Sequence, residues 1–124
     1  MPRVARVLIV DDQTLFRSGL AKLLAEDPRV EIVGQGVDGL DALKQVAVLK
    51  PDVVMMDIKM PNLDGIEMTR QLRAQSRFKQ LPIIIVTGYG QGREREAWQA
   101  GASDVLIKPV SPASLVTRIR DLLS

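Results

Sequence analysis

The sequence DVVMMDIKMPNLDGIEM, residues 52–68, contains an apolar run that ends at an acid. Residues 52–56 have the length and the apolar content of a buried strand. Asp57 follows this run directly, and Asp64 suits the N-terminus of the helix that comes next. A buried strand followed by a loop and a helix is the repeating unit of parallel α/β sheets. The rest of the chain should therefore supply further units of this kind.

Short apolar runs elsewhere alternate with segments in which apolar residues recur at helical spacing. The runs predict strands at 6–10, 30–33, 52–56, 82–86 and 104–107. The segments between and after them predict helices over 13–26, 39–49, 64–75, 92–101 and 112–123. Such alternation forms βαβ units with right-handed crossovers. The predicted fold class is therefore α/β, a doubly wound, five-stranded parallel sheet with five helices on its two faces.

The predicted elements differ in how apolar they are. The first, third and fourth strands are nearly continuous apolar runs, which is typical of buried parallel strands. Glu31 interrupts the second strand, which indicates an edge position. The segment 92–101 has the weakest apolar face of the five helices. The apolar faces predicted for the first two helices consist of Leu15, Phe16, Leu20, Leu23 and Leu24, and of Leu40, Leu43, Val46 and Ala47.

Composition excludes several classes of function. The chain has 124 residues, a net charge of +2, no cysteine and no histidine. It therefore has no disulfide framework, no thiolate or histidine zinc site, and no Ser-His catalysis. The charge is too small to indicate nucleic-acid binding. No apolar run is long enough for a membrane span or a signal peptide, so we expect a cytoplasmic location.

Polar residues follow four of the five predicted strands at the point where each strand ends. Because ligands of open parallel sheets bind beyond the carboxyl ends of the strands, we expect these side chains to meet at one rim. Each of them alone would be an ordinary cap or loop residue. Three acids, a hydroxyl and a cation together indicate a functional site. The set consists of Asp11, Asp12, Asp57, Thr87 and Lys108.

Three neighbouring carboxylates are a costly arrangement without a cation. At an effective dielectric constant of about 20 and a separation of ~4 Å, each like-charged pair costs ~4 kcal/mol. Oxygen ligands select a hard ion, and Mg²⁺ is commonly held by one or two carboxylates together with phosphate oxygens. The set therefore favours Mg²⁺-dependent phosphoryl transfer, with Asp57 as the nucleophile that forms an aspartyl phosphate. Lys108 would then neutralise charge on the phosphoryl oxygens.

Four motifs in this order resemble the receiver (CheY-like) domain of two-component response regulators. They are VDD at 10–12, MMDIKMPNLDG at 55–65, VTGYG at 86–90 and IKPV at 107–110. The resemblance covers residues 5–123, so that 1–124 is expected to be a single receiver domain, with or without an output domain after it. It implies the flavodoxin-like strand order 2-1-3-4-5.

The resemblance also implies a role for each residue. Asp57 is the phosphoacceptor, Asp11 and Asp12 bind Mg²⁺ together with Asp57, and the backbone carbonyl of Lys59 completes the protein ligands. Thr87 and Lys108 bond phosphoryl oxygens, which makes them catalytic together with Asp57. Pro61 and Gly65 match the turn after the phosphorylated strand, and the bond before Pro109 is expected to be cis.

The implied function is that of a phosphoacceptor signalling domain rather than an enzyme, although the domain assists its own phosphorylation and dephosphorylation. The implied partner is a sensor histidine kinase or a phosphotransfer protein. Phosphorylation would switch the surface of the fourth helix, fifth strand and fifth helix, which is also a possible homodimer interface; direct binding to nucleic acid or membrane is not expected. The family commonly has an aromatic switch residue where this chain has Val105, and Tyr89 is the candidate replacement.

Three alternatives remain at this point. Gly34, Gly36 and Gly39 spell the dinucleotide-binding pattern G-x-G-x-x-G, with Asp57 as the acid further on. An edge position of the second strand argues against it, and the glycines then serve a turn with unusual φ angles and close packing. The second alternative is an aspartyl-phosphate phosphohydrolase resembling the haloacid dehalogenases, but Lys59 occupies the position of their second acid. The third is an interaction module that is not phosphorylated.

Overall fold

The computed structural model describes residues 4–88 and 92–124, within which five parallel strands and five α-helices alternate along the chain. A short 3₁₀ helix follows the third α-helix. The strands are β1 (Ala5–Val10), β2 (Val30–Gly36), β3 (Val53–Met56), β4 (Ile83–Thr87) and β5 (Asp104–Ile107). The helices are α1 (Thr14–Ala25), α2 (Gly39–Leu49), α3 (Gly65–Ala74), α4 (Glu94–Ala100) and α5 (Pro112–Leu123), and the 3₁₀ helix is Ser76–Phe78.

The five strands form one sheet in the order β2-β1-β3-β4-β5, and every pair of neighbours is parallel. This is the predicted order, and it confirms that β2 lies at an edge. The switch of direction in the strand order falls between β1 and β3. Such a crevice at the carboxyl ends of the strands is where doubly wound sheets bind their ligands.

The sheet separates two apolar cores. One core lies between the sheet and α2, α3 and α4, and the other lies between the sheet and α1 and α5. Leu8, Val54 and Ile85 face the first core, whereas Ile9 and Met55 face the second. Helices therefore cover both faces, which is why the three central strands are apolar on both sides. No helix of the described residues has the length and hydropathy needed to cross a membrane.

The predicted apolar faces of α1 and α2 were partly wrong. Leu15 is 92% exposed and Leu23 is 50% exposed, although both were assigned to the buried face of α1. Leu40 of α2 is likewise 52% exposed. The faces that pack on the sheet are narrower, and in α1 the buried leucines are Leu20 and Leu24. Apolar character alone overstated these faces, because exposed apolar residues are common on protein surfaces.

The glycine pattern forms no turn with unusual φ angles, so that part of the prediction was wrong. Gly34 and Gly36 lie inside β2, which extends three residues beyond the predicted end at 33. Positive φ angles among the described glycines occur only at Gly92 and Gly101. The expectation of close packing is confirmed, because a Cβ atom on Gly34 would lie 2.5 Å from Gln45 Oε1.

Two leucines of α1 provide a test of this packing. Leu24 is fully buried in the core between the sheet and α1 and α5, so Leu24→Ala should lower the free energy of unfolding by about 2–5 kcal/mol. Leu15→Ala in the same helix should change it by no more than about 0.5 kcal/mol. Urea unfolding followed by circular dichroism measures both, and equal losses would contradict the assignment of the buried face.

Candidate functional site

Strand register brings the predicted site residues to one end of the sheet. Val10 of β1 pairs with Met56 of β3, so the residues that follow them, Asp11 and Asp57, leave the sheet side by side. The amide of Asp57 donates a hydrogen bond to the carbonyl of Val10 at 3.1 Å, which holds the two strand ends together. At the other edge of the crevice, Lys108 donates its amide to the carbonyl of Thr87 at 2.7 Å.

The three acids form one cluster. One carboxylate oxygen each of Asp11, Asp12 and Asp57 lies within 4.8 Å of the other two. Asp11 and Asp57 are buried, with 2% and 7% of their surface exposed, whereas Asp12 is exposed. The cluster therefore has a buried floor and an open side.

Lys108 reaches across the sheet into this cluster. Its Nζ lies 3.1 Å from Asp11 Oδ2 and 3.3 Å from Asp57 Oδ2, so one ammonium group pairs with two buried carboxylates. The same Nζ lies 3.2 Å from Gln13 Oε1 and 4.0 Å from the centroid of the Phe16 ring. An ammonium above an aromatic face is stabilised by the charge distribution of the ring. Lys108 is thus held at the centre of the site from several sides.

Burial raises the pKa of Asp57 above its ordinary value. Lys108 offsets part of this rise, because its positive charge and its hydrogen bond favour the ionised carboxylate. The negative charge of Asp11 raises the pKa further. Oδ1 of Asp57 also accepts a hydrogen bond from the amide of Ile58 at 2.7 Å. The ionised form of Asp57 is therefore costly in the free chain, and an additional cation at the site would relieve that cost.

Thr87 ends β4, the strand next to β3, at the same end of the sheet as Asp57. Its residue surface is completely buried, and among the described residues its Oγ1 is the buried side-chain polar atom without a hydrogen-bond partner. A buried hydroxyl without a partner costs roughly 1–3 kcal/mol. This hydroxyl is therefore a free donor close to the site, suited to an oxygen that enters the crevice.

The loop from Asp57 to α3 packs tightly against the site. A Cβ atom on Gly65 would collide with the backbone carbonyl of Asp57, so glycine is required for this approach. The amide of Gly65 donates to the carbonyl of Ile58 at 2.8 Å, and the Asp64 side chain caps α3. A cavity of about 320 Å³ opens beside this loop. It is lined by Asp12, Gln13, Asp57, Lys59, Gly88 and Lys108.

The remaining predicted positions lie around this cavity or outside the described residues. Lys59 is exposed at the mouth, and the Lys108–Pro109 peptide bond is cis. Pro61 is exposed in the β3–α3 loop. Val105 is half-buried and packs against the core beneath α4. Tyr89, the candidate to replace an aromatic residue at 105, lies outside the described residues.

Sequence reasoning missed three residues of α1 and its preceding loop that contact the site. Gln13 and Phe16 contact Lys108, as described above. Arg17 is buried, and its guanidinium donates to the backbone carbonyl of Asp11. Helical spacing held a signal for Arg17, because positions 17, 20 and 24 share the face that carries Leu20 and Leu24. A cation on a buried face calls for a partner.

Comparison with known proteins agrees with this geometry. The family model for the response regulator receiver domain matches residues 7–120. The chain belongs to this family. Its function is that of a phosphoacceptor signalling domain in a two-component system, the role in which receiver domains generally use Mg²⁺ and interact with histidine kinases or phosphotransfer proteins.

The receiver is similar in sequence to parts of longer proteins. It is 42% identical over 122 residues to a protein-glutamate methylesterase/protein-glutamine glutaminase of Halalkalibacterium halodurans, covering 95% of this chain and 34% of that protein. It is 44% identical over 118 residues to the protein of the same name from a Nocardioides species, covering 93% and 31%. The chain thus spans about a third of the length of these curated relatives.

Solved structures show the same fold. The response regulator domain of Thermotoga maritima CheB superposes with a TM-score of 0.86 at 34% identity, covering 98% of this chain and 97% of that one. The receiver domain of a putative response regulator NarL from Mycobacterium tuberculosis also gives 0.86, at 28% identity, covering 97% and 96%. The five-stranded order of this receiver is therefore the order of its family.

The raised pKa of Asp57 predicts how stability changes with pH. Because that pKa is higher in the folded than in the unfolded receiver, the folded receiver binds more protons between the two values. Its free energy of unfolding therefore falls as the pH rises through that interval. Asp57→Asn removes the titrating group, so in a chelating buffer the variant should melt at a higher temperature than the parent at neutral pH.

This advantage of Asp57→Asn should vanish below the ordinary carboxyl value of 3.8, where Asp57 is protonated in both states. Added Mg²⁺ should narrow the difference at neutral pH, because a bound ion stabilises the folded parent. Thermal melts across the pH range measure these differences. A parent that is as stable as Asp57→Asn at neutral pH would contradict the raised pKa of Asp57 in the folded receiver.

Proposed function

We propose that Asp57 is the phosphoacceptor of this receiver and that Asp11, Asp12 and Asp57 bind the Mg²⁺ ion that the reaction requires. The observation that carries the proposal is the clustering of three carboxylates within 4.8 Å of one another, two of which, those of Asp11 and Asp57, pair with the ammonium group of Lys108. No other group of three or more acidic residues at this spacing occurs among the described residues. Asp57 is the buried member of the cluster that lines the cavity, and the exposed Asp12 lines it as well.

The donor set fits a hard divalent ion. Carboxylate oxygens of Asp11, Asp12 and Asp57 and the carbonyl oxygen of Lys59 would hold the ion, with Asp12 a more direct ligand than Asp11. All are oxygen donors, which is what Mg²⁺ prefers. The site is open on the side of Asp12, which leaves room for water and phosphate oxygens. When bound, the ion supplies positive charge that stabilises the phosphoryl group during transfer.

Three side chains of this receiver would carry out the phosphoryl transfer. An oxygen of Asp57 attacks the phosphorus, while the bond from phosphorus to the nitrogen of a donor phosphohistidine breaks. Lys108 already lies 3.3 Å from Asp57 Oδ2 and would pair with a phosphoryl oxygen. Thr87 has a hydroxyl without a partner, and a phosphoryl oxygen would supply one. The transfer would thus give the Thr87 hydroxyl a partner that it lacks in the free receiver.

The switch is proposed to run from Thr87 into α4, β5 and α5. Movement of Thr87 and Lys108 toward the phosphoryl group would shift the population of the adjoining surface, and Tyr89 would take part in place of an aromatic side chain at Val105. Trp98 on α4 is 50% exposed and Ile107 on β5 is 41% exposed. These apolar side chains support the proposal that the surface meets a target or a second copy of the chain.

The remaining assignments complete the proposal. Residues 1–124 act as one receiver domain in the cytoplasm, with a sensor histidine kinase or phosphotransfer protein as phosphodonor and an output domain or separate target as reader. The receiver is not itself an enzyme with turnover. Lys59 supports this, because it occupies the position where haloacid-dehalogenase-like phosphohydrolases carry their second acid, and it is exposed at the cavity mouth.

Asp57→Asn tests the proposal. The amide is a far weaker nucleophile than the carboxylate, so the variant should take up no phosphoryl group from acetyl phosphate or from a phosphorylated histidine kinase. Phosphate-affinity electrophoresis of the acid-quenched reaction, with and without Mg²⁺, measures the uptake. Labelling of the parent should require Mg²⁺.

A matched control is Asp121→Asn, which changes an exposed acid of α5. This variant should be labelled at the rate of the parent. Labelling of Asp57→Asn at the parental rate would refute the assignment of the acceptor, and labelling of the parent that is independent of Mg²⁺ would refute the metal site.

A further inference from the structure

Arg17 is a buried cation directly beneath the acidic cluster. It lies in the first turns of α1, and 7% of its surface is exposed. Its Nη1 donates a hydrogen bond to the backbone carbonyl of Asp11, and its Nε donates to Gln35 Oε1 of β2 at 3.1 Å. A buried guanidinium is expensive to maintain without strong partners. Its two partners here are the residue that begins the acidic cluster and a side chain of the edge strand.

The hydrogen bond from Arg17 to the Asp11 carbonyl also affects the orientation of Asp12. That carbonyl and the amide of Asp12 belong to one planar peptide unit. Fixing the direction of the carbonyl therefore fixes the direction in which the chain enters Asp12. The other groups of Asp11 are also held, because its amide donates to the carbonyl of Gly36 at 3.0 Å and its Oδ1 accepts from the amide of Gln13 at 2.8 Å. Asp12, by contrast, is exposed, and the peptide that joins it to Asp11 carries the carbonyl that Arg17 binds.

An irregularity of β2 delivers Gln35 to Arg17. Val7 pairs with Ile32, but the next residue, Leu8, pairs with Gly34, so β2 contains one extra residue at this point. A shift of one residue transfers every following side chain to the opposite face of the sheet. Because of the extra residue, Gln35 pairs with Ile9 and faces the side of the sheet on which α1 lies. Bulges of this kind are frequent beside active sites.

The same irregularity explains the first glycine of the G-x-G-x-x-G pattern. Gly34 now faces α2, where a Cβ atom would lie 2.5 Å from Gln45 Oε1 and 2.7 Å from Leu49 Cδ1. Both atoms are the ends of flexible side chains of α2, which would have to shift to admit a larger residue at 34. Gly34 thus faces α2, whereas the next residue, Gln35, faces Arg17.

We infer that Arg17 is a positioning residue for the magnesium site, holding the Asp11–Asp12 peptide so that the Asp12 carboxylate faces Asp57, with Gln35 fixing the guanidinium. This inference rests on the proposed Mg²⁺ site. It predicts a result opposite in sign to that of a purely electrostatic role. Loss of a positive charge next to three carboxylates would by itself strengthen Mg²⁺ binding, whereas loss of the positioning bond weakens it.

The test measures the dissociation constant of Mg²⁺ by isothermal titration calorimetry on the whole chain. Arg17→Met keeps the length and apolar stem of the side chain but removes its donors. Its Mg²⁺ affinity should fall about 10-fold, the size of loss typical when a group that orients a metal ligand is removed. Gln35→Ala, a milder change at an exposed residue, should cause a smaller loss in the same direction. The double variant should bind like Arg17→Met alone, because Gln35 acts through Arg17.

Arg73→Met is the matched control. Arg73 is half-buried in α3 and also donates to backbone carbonyls, those of Gly101 and Phe78. Its helix, however, packs on the face of the sheet opposite to α1. This variant should lose stability to urea and keep the parental Mg²⁺ affinity. Circular dichroism identifies any variant that does not fold. If Arg17→Met does not fold, the Mg²⁺ affinity of Gln35→Ala decides the role of Arg17.

The measured affinities distinguish a failure of the proposed magnesium site from a failure of the role of Arg17. A parent that does not bind Mg²⁺ would overturn the magnesium site itself. A parent that binds, with Arg17→Met or a folded Gln35→Ala binding equally well or more tightly, would overturn only the role of Arg17. A loss of affinity in Arg73→Met equal to that in Arg17→Met would also overturn that role, since the effect would then follow stability rather than position.

Discussion

The parallel register of β1 and β3 places the carboxylates of Asp11 and Asp57 side by side, and the groups at the carboxyl ends of the strands are arranged around these two negative charges. Val10 and Met56 are paired, so Asp11 and Asp57 must leave the sheet as neighbours. Both are buried, and Lys108 is their shared ammonium partner. Burial, and to a smaller extent the negative charge of Asp11, raises the pKa of Asp57. A site of this kind is poised for a divalent cation and a phosphoryl group, because each supplies something that the free receiver lacks.

Backbone contacts hold Asp11 and Asp57 at the buried side of the cluster, whereas the other side is open. Gly65 packs on the carbonyl of Asp57, and Arg17 bonds the carbonyl of Asp11. Both contacts act on backbone groups of acidic residues, so they fix position without consuming the carboxylate oxygens. The open side carries Asp12 and Lys59, which are exposed. This division between a fixed floor and an accessible mouth is the general design of sites on rigid strands with reactive loops.

Sequence predicted the architecture because long-range order here follows from local pattern. Strand runs, helical spacing and the placement of polar residues at strand ends are sufficient for the α/β class and for the meeting of Asp11, Asp12 and Asp57. The strand order 2-1-3-4-5 was predicted from the resemblance to receiver domains. The glycine pattern did not reveal that Gly34 and Gly36 lie inside β2, and periodicity does not reveal which apolar residue is covered. Leu15 fits the helical face and is nevertheless 92% exposed. The extra residue in β2, which brings Gln35 into contact with Arg17, is a register shift that no local sequence pattern records.

The most direct measurement of the central claim is a crystal structure of the receiver grown with Mn²⁺ as a substitute for Mg²⁺ and recorded with the anomalous signal of manganese. We predict one anomalous peak at the cluster, in direct contact with carboxylate oxygens of Asp12 and Asp57 and with the carbonyl oxygen of Lys59. A peak bound elsewhere, or three acids that share no ion at saturating Mn²⁺, would contradict the account.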